Sequence, residues 1–231
     1  MRNDRYAFWA EVTGAAAFVL LLAGLYAAFV YAPTERTMGD VQRIFYFHVA
    51  SATAAFVAFF VVFVASIGYL ARRTRAWDNL GAAGAEIGII FCSLVLVTGP
   101  LWAKPAWGTW WTWDPRLTTT LVLWLIYVAY LMLRSAMEDA TRRALVSAVF
   151  GIVGFVDVPI VFMSIRWWRT IHPVVLQGGE LDLEPRMIVA LVISIVAFLF
   201  LLAYLLIERT RLQRSEDELE RLKSRLYAEQ V

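Results

Sequence analysis

The chain has 231 residues, 61% of them hydrophobic and only 17% charged, with a formal net charge of +2. A composition this apolar excludes an ordinary soluble domain and reads as an integral membrane protein. A single cysteine, Cys92, lies inside an apolar run, which excludes a disulfide framework and a thiol redox pair and leaves it as a small buried hydrophobe.

The first apolar run, from Val12 to Val30, follows Arg2 and Arg5 and has about the ~20 residues a helix needs to cross the hydrocarbon. It is long for a signal peptide and more spans follow, so it reads as a retained anchor. A polar connection from Pro33 to Gln42 leads to the run from Ile44 to Leu70, which is longer than one bilayer thickness and must tilt or protrude. His48 sits in its first turns. Arg72, Arg73 and Arg75 make the next connection, and Leu80 to Thr98 returns across the membrane. Pro115 to Leu133 is the fourth predicted span, Arg134 to Arg143 a charged connection, Ala144 to Ile165 the fifth span, Arg166 to Pro185 a loop, and Met187 to Ile207 the sixth span.

The predicted fold class is therefore all-α: a polytopic membrane domain at 1–207 with six transmembrane helices, followed by a charged helical tail at 208–231. Six spans put both termini on one side. The N-terminus, the two short connections and the tail hold fourteen of the 21 Lys and Arg residues, and the three opposite loops hold seven. Basic loops stay inside, so the termini are expected in the cytoplasm. The opposite face, periplasmic in a bacterial cell, then carries the segment 99–118 and both histidines of the chain, His48 and His172. In the tail, Leu212, Leu219, Leu222 and Leu226 form a near-heptad stripe too short for a coiled coil; it reads as a solvated helical extension or as a docking surface for a cytoplasmic partner.

Between the third and fourth predicted spans, four of the ten tryptophans fall within the seven residues Trp107 to Trp113. Tryptophan buries apolar area while its indole N–H seeks a partner, which suits a membrane interface. Trp107, Trp110 and Trp111 are spaced i, i+3 and i+4, one face of a short interfacial helix. With Trp102 and Trp113 they predict a flat aromatic floor. Asp114 before Pro115 is an N-cap and first-turn pair that starts the fourth span. Arg116 is a headgroup anchor or an anion contact.

Glu86 and Asp157 fall within apolar spans, where a charge is expensive. Glu86 is about two turns from the cytoplasmic end, so snorkelling explains it. Pro159 follows Asp157 and frees backbone carbonyls there, so Asp157 is hydrogen-bonded to a neighbouring helix or borders a wet cavity. A lone interfacial histidine is usually a satisfied polar contact. Here both histidines are expected beside one aromatic platform, and neutral imidazole is the common protein ligand of haem iron, so the joint pattern favours ligation. Ser51, Ala52 and Ala55, one turn or so beyond His48, are small enough to admit a flat macrocycle. Arg166 and Arg169 precede His172 and suit carboxylates such as haem propionates, or equally lipid phosphates. His172 before Pro173 belongs in extended backbone, hence in a loop able to close over a ligand.

The run from Trp107 to Thr118, read with Phe47-His48-Val49 and Arg166-Trp167-Trp168-Arg169-Thr170-Ile171-His172-Pro173, resembles the tryptophan-rich (WWD) signature of haem-handling membrane proteins. The resemblance is closest to the haem exporter protein C family of cytochrome c maturation and covers nearly the whole chain. It implies a haem-delivery subunit of the inner membrane, not an enzyme, that holds haem b as cargo at the periplasmic face for a small membrane-anchored haem chaperone. It further implies an ABC-type complex with an ATPase, its membrane subunit and a small single-span protein. The site residues it implies are His48 and His172 on the iron, with Trp102, Trp107, Trp110, Trp111, Trp113, Asp114, Arg116, Arg166 and Arg169 around it. A haem lyase subunit of the same superfamily and a transporter carrying haem across the bilayer are the alternatives. The chain has no phosphate-binding loop, zinc-protease helix or dinucleotide fingerprint, and no nucleic-acid partner is expected.

Overall fold

The computed structural model describes residues 2–172, 176–177, 180–181 and 183–229. Six helical segments within them are long and apolar enough to cross a membrane, as the hydropathy of the chain predicts. Helix α1 (Arg2–Tyr26) ends in a π turn at Ala27–Tyr31. A 3₁₀ turn at Asp40–Arg43 opens α2 (Ile44–Arg72), and α3 (Arg75–Trp107) returns. Helices α4 (Pro115–Ser135), α5 (Ala140–Phe155), α6 (Asp157–Trp167) and α7 (Pro185–Glu229) follow, with a minor two-residue hairpin pairing Leu176–Gln177 with Glu180–Leu181 in the loop before α7.

The α2–α3 hairpin is the centre of the bundle, and its turn is tight because Arg73 adopts a left-handed conformation (φ 52°) and returns its N–H to the Tyr69 carbonyl. Lipid is as apolar as leucine, so helices associate through close packing rather than through escape from water. Gly88 permits that approach: a Cβ there would lie 2.5 Å from the Phe59 ring. Phe59 in turn stacks on Tyr127 of α4 at a centroid separation of 3.8 Å and an interplanar angle of 12°. Helix α1 does not enter this core. It packs mainly along α7, where Gly14 faces the ring of Tyr204.

Three expectations change. The third span does not stop at Thr98; α3 continues through Pro100 and Pro105 to Trp107. The fifth span is not one helix, since Val156 separates α5 from α6 and its N–H turns back to the Val153 carbonyl at 3.2 Å. Pro159 has no N–H and its ring crowds the carbonyl of Phe155, which breaks the ladder there. Glu86 does not need to snorkel, because Arg209 of α7 donates to both of its oxygens at 2.5 and 3.0 Å.

Other ion pairs cluster at the same end. Arg134 meets Asp78 through two bonds of 2.6 and 3.1 Å, and Arg75 meets Asp217 at 2.8 Å. Helix α7 has no interruption between Ile207 and Glu208, and its extension is pinned to the bundle as far as Asp217, with Arg214 over the Tyr6 ring at 4.3 Å. Leu212, Leu219, Leu222 and Leu226 are exposed.

Candidate functional site

The tryptophan segment takes its shape from Gly108. Trp107 is the last residue of α3, and Gly108 follows in the left-handed conformation (φ 74°), with its N–H on the Lys104 carbonyl at 3.0 Å. Glycine adopts this conformation freely and ends helices there. The short helix expected through Trp110 and Trp111 therefore does not form, and residues 108–114 run without helical structure to Pro115.

Nor do the rings make a flat floor. Trp102 and Trp107 meet edge to face at 5.4 Å and 89°, and Trp111 and Trp113 at 5.9 Å and 83°. Trp102, Trp107 and Trp111 line a cavity of about 300 Å³, whereas Trp110 and Trp113 are 55% and 76% exposed and lie outside its lining.

Asp114 caps α4 as expected, its Oδ1 accepting the Arg116 N–H at 2.9 Å. The same carboxylate reaches further. Oδ1 also accepts the Thr170 hydroxyl at 2.9 Å, and Oδ2 accepts the Ile171 N–H at 3.0 Å. The His172 N–H then donates to the Thr170 oxygen at 2.9 Å. One buried carboxylate, 8% exposed, thus ties the tryptophan segment to the loop that carries His172.

His48, from α2, and His172, from the loop after α6, both line the cavity. The His172 ring lies 6.3 Å from that of Trp107 at 65°, and His48 Nδ1 lies 2.9 Å from the Thr98 hydroxyl oxygen. Below His48 the cavity becomes apolar, with Ala55, Phe56, Cys92 and Leu123 at its floor. His48 to Phe56 is eight residues of helix, a descent of about 12 Å at ~1.5 Å per residue. Of the small residues expected near a ligand, Ala52 and Ala55 face the cavity and Ser51 is buried outside it.

The arginines divide. Arg116 lines the cavity, and its Nη1 donates to the carbonyls of Val161 and Phe162 in α6 at 2.6 and 3.1 Å, so it also clamps that helix. Arg166 lines the cavity with its guanidinium 5.3 Å from the Phe162 ring. Arg169 is exposed and outside the lining.

The family model described as heme exporter protein C matches residues 4–225. A heme exporter protein C from Bradyrhizobium diazoefficiens is 38% identical over 190 residues, covering 81% of this chain and 72% of that protein. Those from Rhodobacter capsulatus and Escherichia coli K12 are 35% and 36% identical, covering 91% and 85% of this chain and 88% and 80% of theirs. The chain belongs to the heme exporter protein C family. With its six apolar helices it is a multi-pass protein of the bacterial inner membrane.

In this member of the family several site residues carry no signal in the sequence. Thr98 and Gly99 lie against His48, and Thr170 carries the link from Asp114 to His172. Trp102 has a buried indole N–H with no partner among the described residues, in the wall of the cavity. Asp157 likewise holds a buried Oδ2 with no partner among the described residues, and it is not part of the lining.

Proposed function

We propose that the chain, a haem-handling membrane subunit of cytochrome c maturation by its family, holds haem b as cargo in this cavity between His48 and His172. The observation that carries this reading is the donor set. A bare metal ion needs about four protein ligands, and no group of three or more His, Cys, Asp or Glu occurs among the described residues. Two imidazoles facing one cavity instead suit a metal that brings its own equatorial ligands and lacks only axial ones.

The surroundings fit such a cargo. A cavity of about 300 Å³ is at the lower end of small-molecule sites, roughly 300–1,000 Å³, so it encloses the macrocycle only in part, with the iron between the two histidines. The apolar floor receives methyl and vinyl groups. Arg166 and Arg116 at the level of the histidines face the propionate side with positive charge. Trp102, Trp107 and Trp111 cover a face, and the Trp102 indole N–H is available to an acceptor on the cargo.

Release follows from how the two ligands are held. His48 is part of a long helix, whereas His172 is held by its loop through Asp114 and Thr170. A periplasmic haem chaperone docking on the exposed Trp110 and Trp113 can compete for the iron at the His172 side while His48 retains it. Association with an ABC ATPase, its membrane subunit and a single-span protein belongs to the same reading. The haem lyase alternative loses ground because its second haem site needs further histidines, and the chain has two.

The test is the visible spectrum of the purified protein. A Soret band is expected, altered in His48→Ala and in His172→Ala and partly restored by imidazole in solution. Arg166→Ala is expected to weaken haem retention with less spectral change. If both single histidine variants keep the parental haem content and spectrum, the bis-histidine site is wrong.

A further inference from the structure

We infer that Thr98 is the positioning residue that sets the ring tautomer of His48, keeping the proton on Nδ1 so that the Nε2 lone pair is the one offered to the cavity. The inference rests on His48 being an iron ligand for its functional meaning, but the tautomer itself can be read without haem.

A threonine hydroxyl has one hydrogen to give and two lone pairs to accept with. The Thr98 hydroxyl lies 2.6 Å from the Leu94 carbonyl oxygen, one turn earlier in α3, and a carbonyl can only accept. Its hydrogen is therefore committed, and the contact of 2.9 Å with His48 Nδ1 is satisfied only if Nδ1 donates. A neutral imidazole has one N–H, so Nε2 is left as the unprotonated nitrogen. The relay runs from the His48 Nδ1–H through the Thr98 hydroxyl to the Leu94 carbonyl, and it ends on fixed backbone.

Gly99 lies directly beside the contact. A Cβ at that position would stand 3.4 Å from His48 Cε1 and 4.0 Å from Nδ1, so the ring edge bearing Nδ1 rests against the backbone of α3 at residues 98–99. The nitrogen that binds metal in a histidine is set by the hydrogen bond made by the other one, and the group receiving that bond also raises the basicity of the ligand. Two elements cooperate here, α2 bringing the ring and α3 the acceptor.

The experiment uses the full chain in detergent micelles without haem, with ¹⁵N-labelled histidine, at a pH well above the roughly 6.5 of a free imidazole. Two histidines give two sets of ring-nitrogen signals, and His172→Gln identifies which belongs to His48. The parent and Thr98→Ser are expected to show the Nδ1–H pattern. Thr98→Val, of nearly equal volume but without the hydroxyl, is expected to lose it. In a parallel haem titration Thr98→Val is expected to bind about 10–100-fold more weakly, the usual effect of removing such a support, and Thr98→Ser to recover most of the loss. The inference is overturned if the parent's His48 carries its proton on Nε2, if Thr98→Val keeps the Nδ1–H pattern, or if Thr98→Val binds haem as the parent does. A parent chain that takes up no haem overturns the proposed cargo instead, and the ring-nitrogen pattern still decides the role of Thr98.

Discussion

Asp114 accepts from three donors on two segments, so its removal loosens both at once. The helix cap contributes about 1 kcal/mol, and each bond to a charged acceptor about 1.5–3 kcal/mol. Asp114→Ala is therefore expected to weaken haem binding roughly tenfold or more, at ~1.4 kcal/mol per decade, and to perturb the spectrum on the His172 side. Thr170→Val leaves the cap intact and should show a smaller loss in the same titration. Parental affinity in Asp114→Ala would remove the latch from the site. Asp114 as a cap was legible because Asp before Pro is a local signal. Its bonds to Thr170 and Ile171 cross more than fifty residues of sequence and left no local trace. The reading of Trp110 and Trp111 failed for a different reason: helical spacing was applied across Gly108, the residue that stops the helix. Glu35 lies in the loop between the first span and α2. Its Oε2 accepts the N–H groups of Met38 and Thr37 at 2.5 and 2.7 Å, and the Met38 bond in particular holds the carboxyl below its ordinary 4.5. A depressed carboxyl contributes order above its ordinary range and loses it as pH falls through the lower folded value. The loop should thus resist limited proteolysis at neutral pH and loosen only in acid below 4.5, and Glu35→Gln should abolish that dependence. Loosening that begins near neutrality would assign the transition to another group.

Among the elements, the α2–α3 contact is the least tolerant of added volume. A methyl group at Gly88 meets Phe59 at 2.5 Å, and Phe59 cannot yield because Tyr127 is stacked behind it. Gly88→Ala is expected to destabilise the bundle by about 1–3 kcal/mol, seen as a lower thermal midpoint in detergent, and Phe59→Leu in the same chain should relieve part of it. An unchanged midpoint in Gly88→Ala would show that the helices separate there at little cost. The six spans themselves were legible, since hydrocarbon thickness demands long apolar runs and every such run became helical. Their interruptions were not. Hydropathy averages side chains and is blind to backbone, so Val156 and the passage of α3 through Pro100 and Pro105 had to come from the structure. The partner of Glu86 was missed because Arg209 belongs to a run assigned to the tail rather than to the bundle.

For the whole molecule, the cavity fixes which groups share an end. His48, Trp107, Arg116 and His172 converge at one face, and the ion pairs of Asp78, Glu86 and Asp217 gather towards the other. Reporter fusions after Arg75 and Arg143 are expected in the cytoplasm and those after Gly39 and Thr109 outside, following the excess of basic residues. A cytoplasmic signal after Thr109 would turn the cavity inward and end the periplasmic reading. The pairing of α1 with α7 has a consequence in time. The first span enters the membrane long before its main neighbour exists, for α7 begins only at Pro185. At about 5–20 residues per second that interval is roughly ten to thirty seconds. Throughout it α1 lacks its main partner, with Gly14 facing hydrocarbon where Tyr204 will later lie. A ribosome that stalls before α7 therefore leaves an orphaned anchor, and membrane quality control has a mark by which to find incomplete chains: a first helix still waiting for the last.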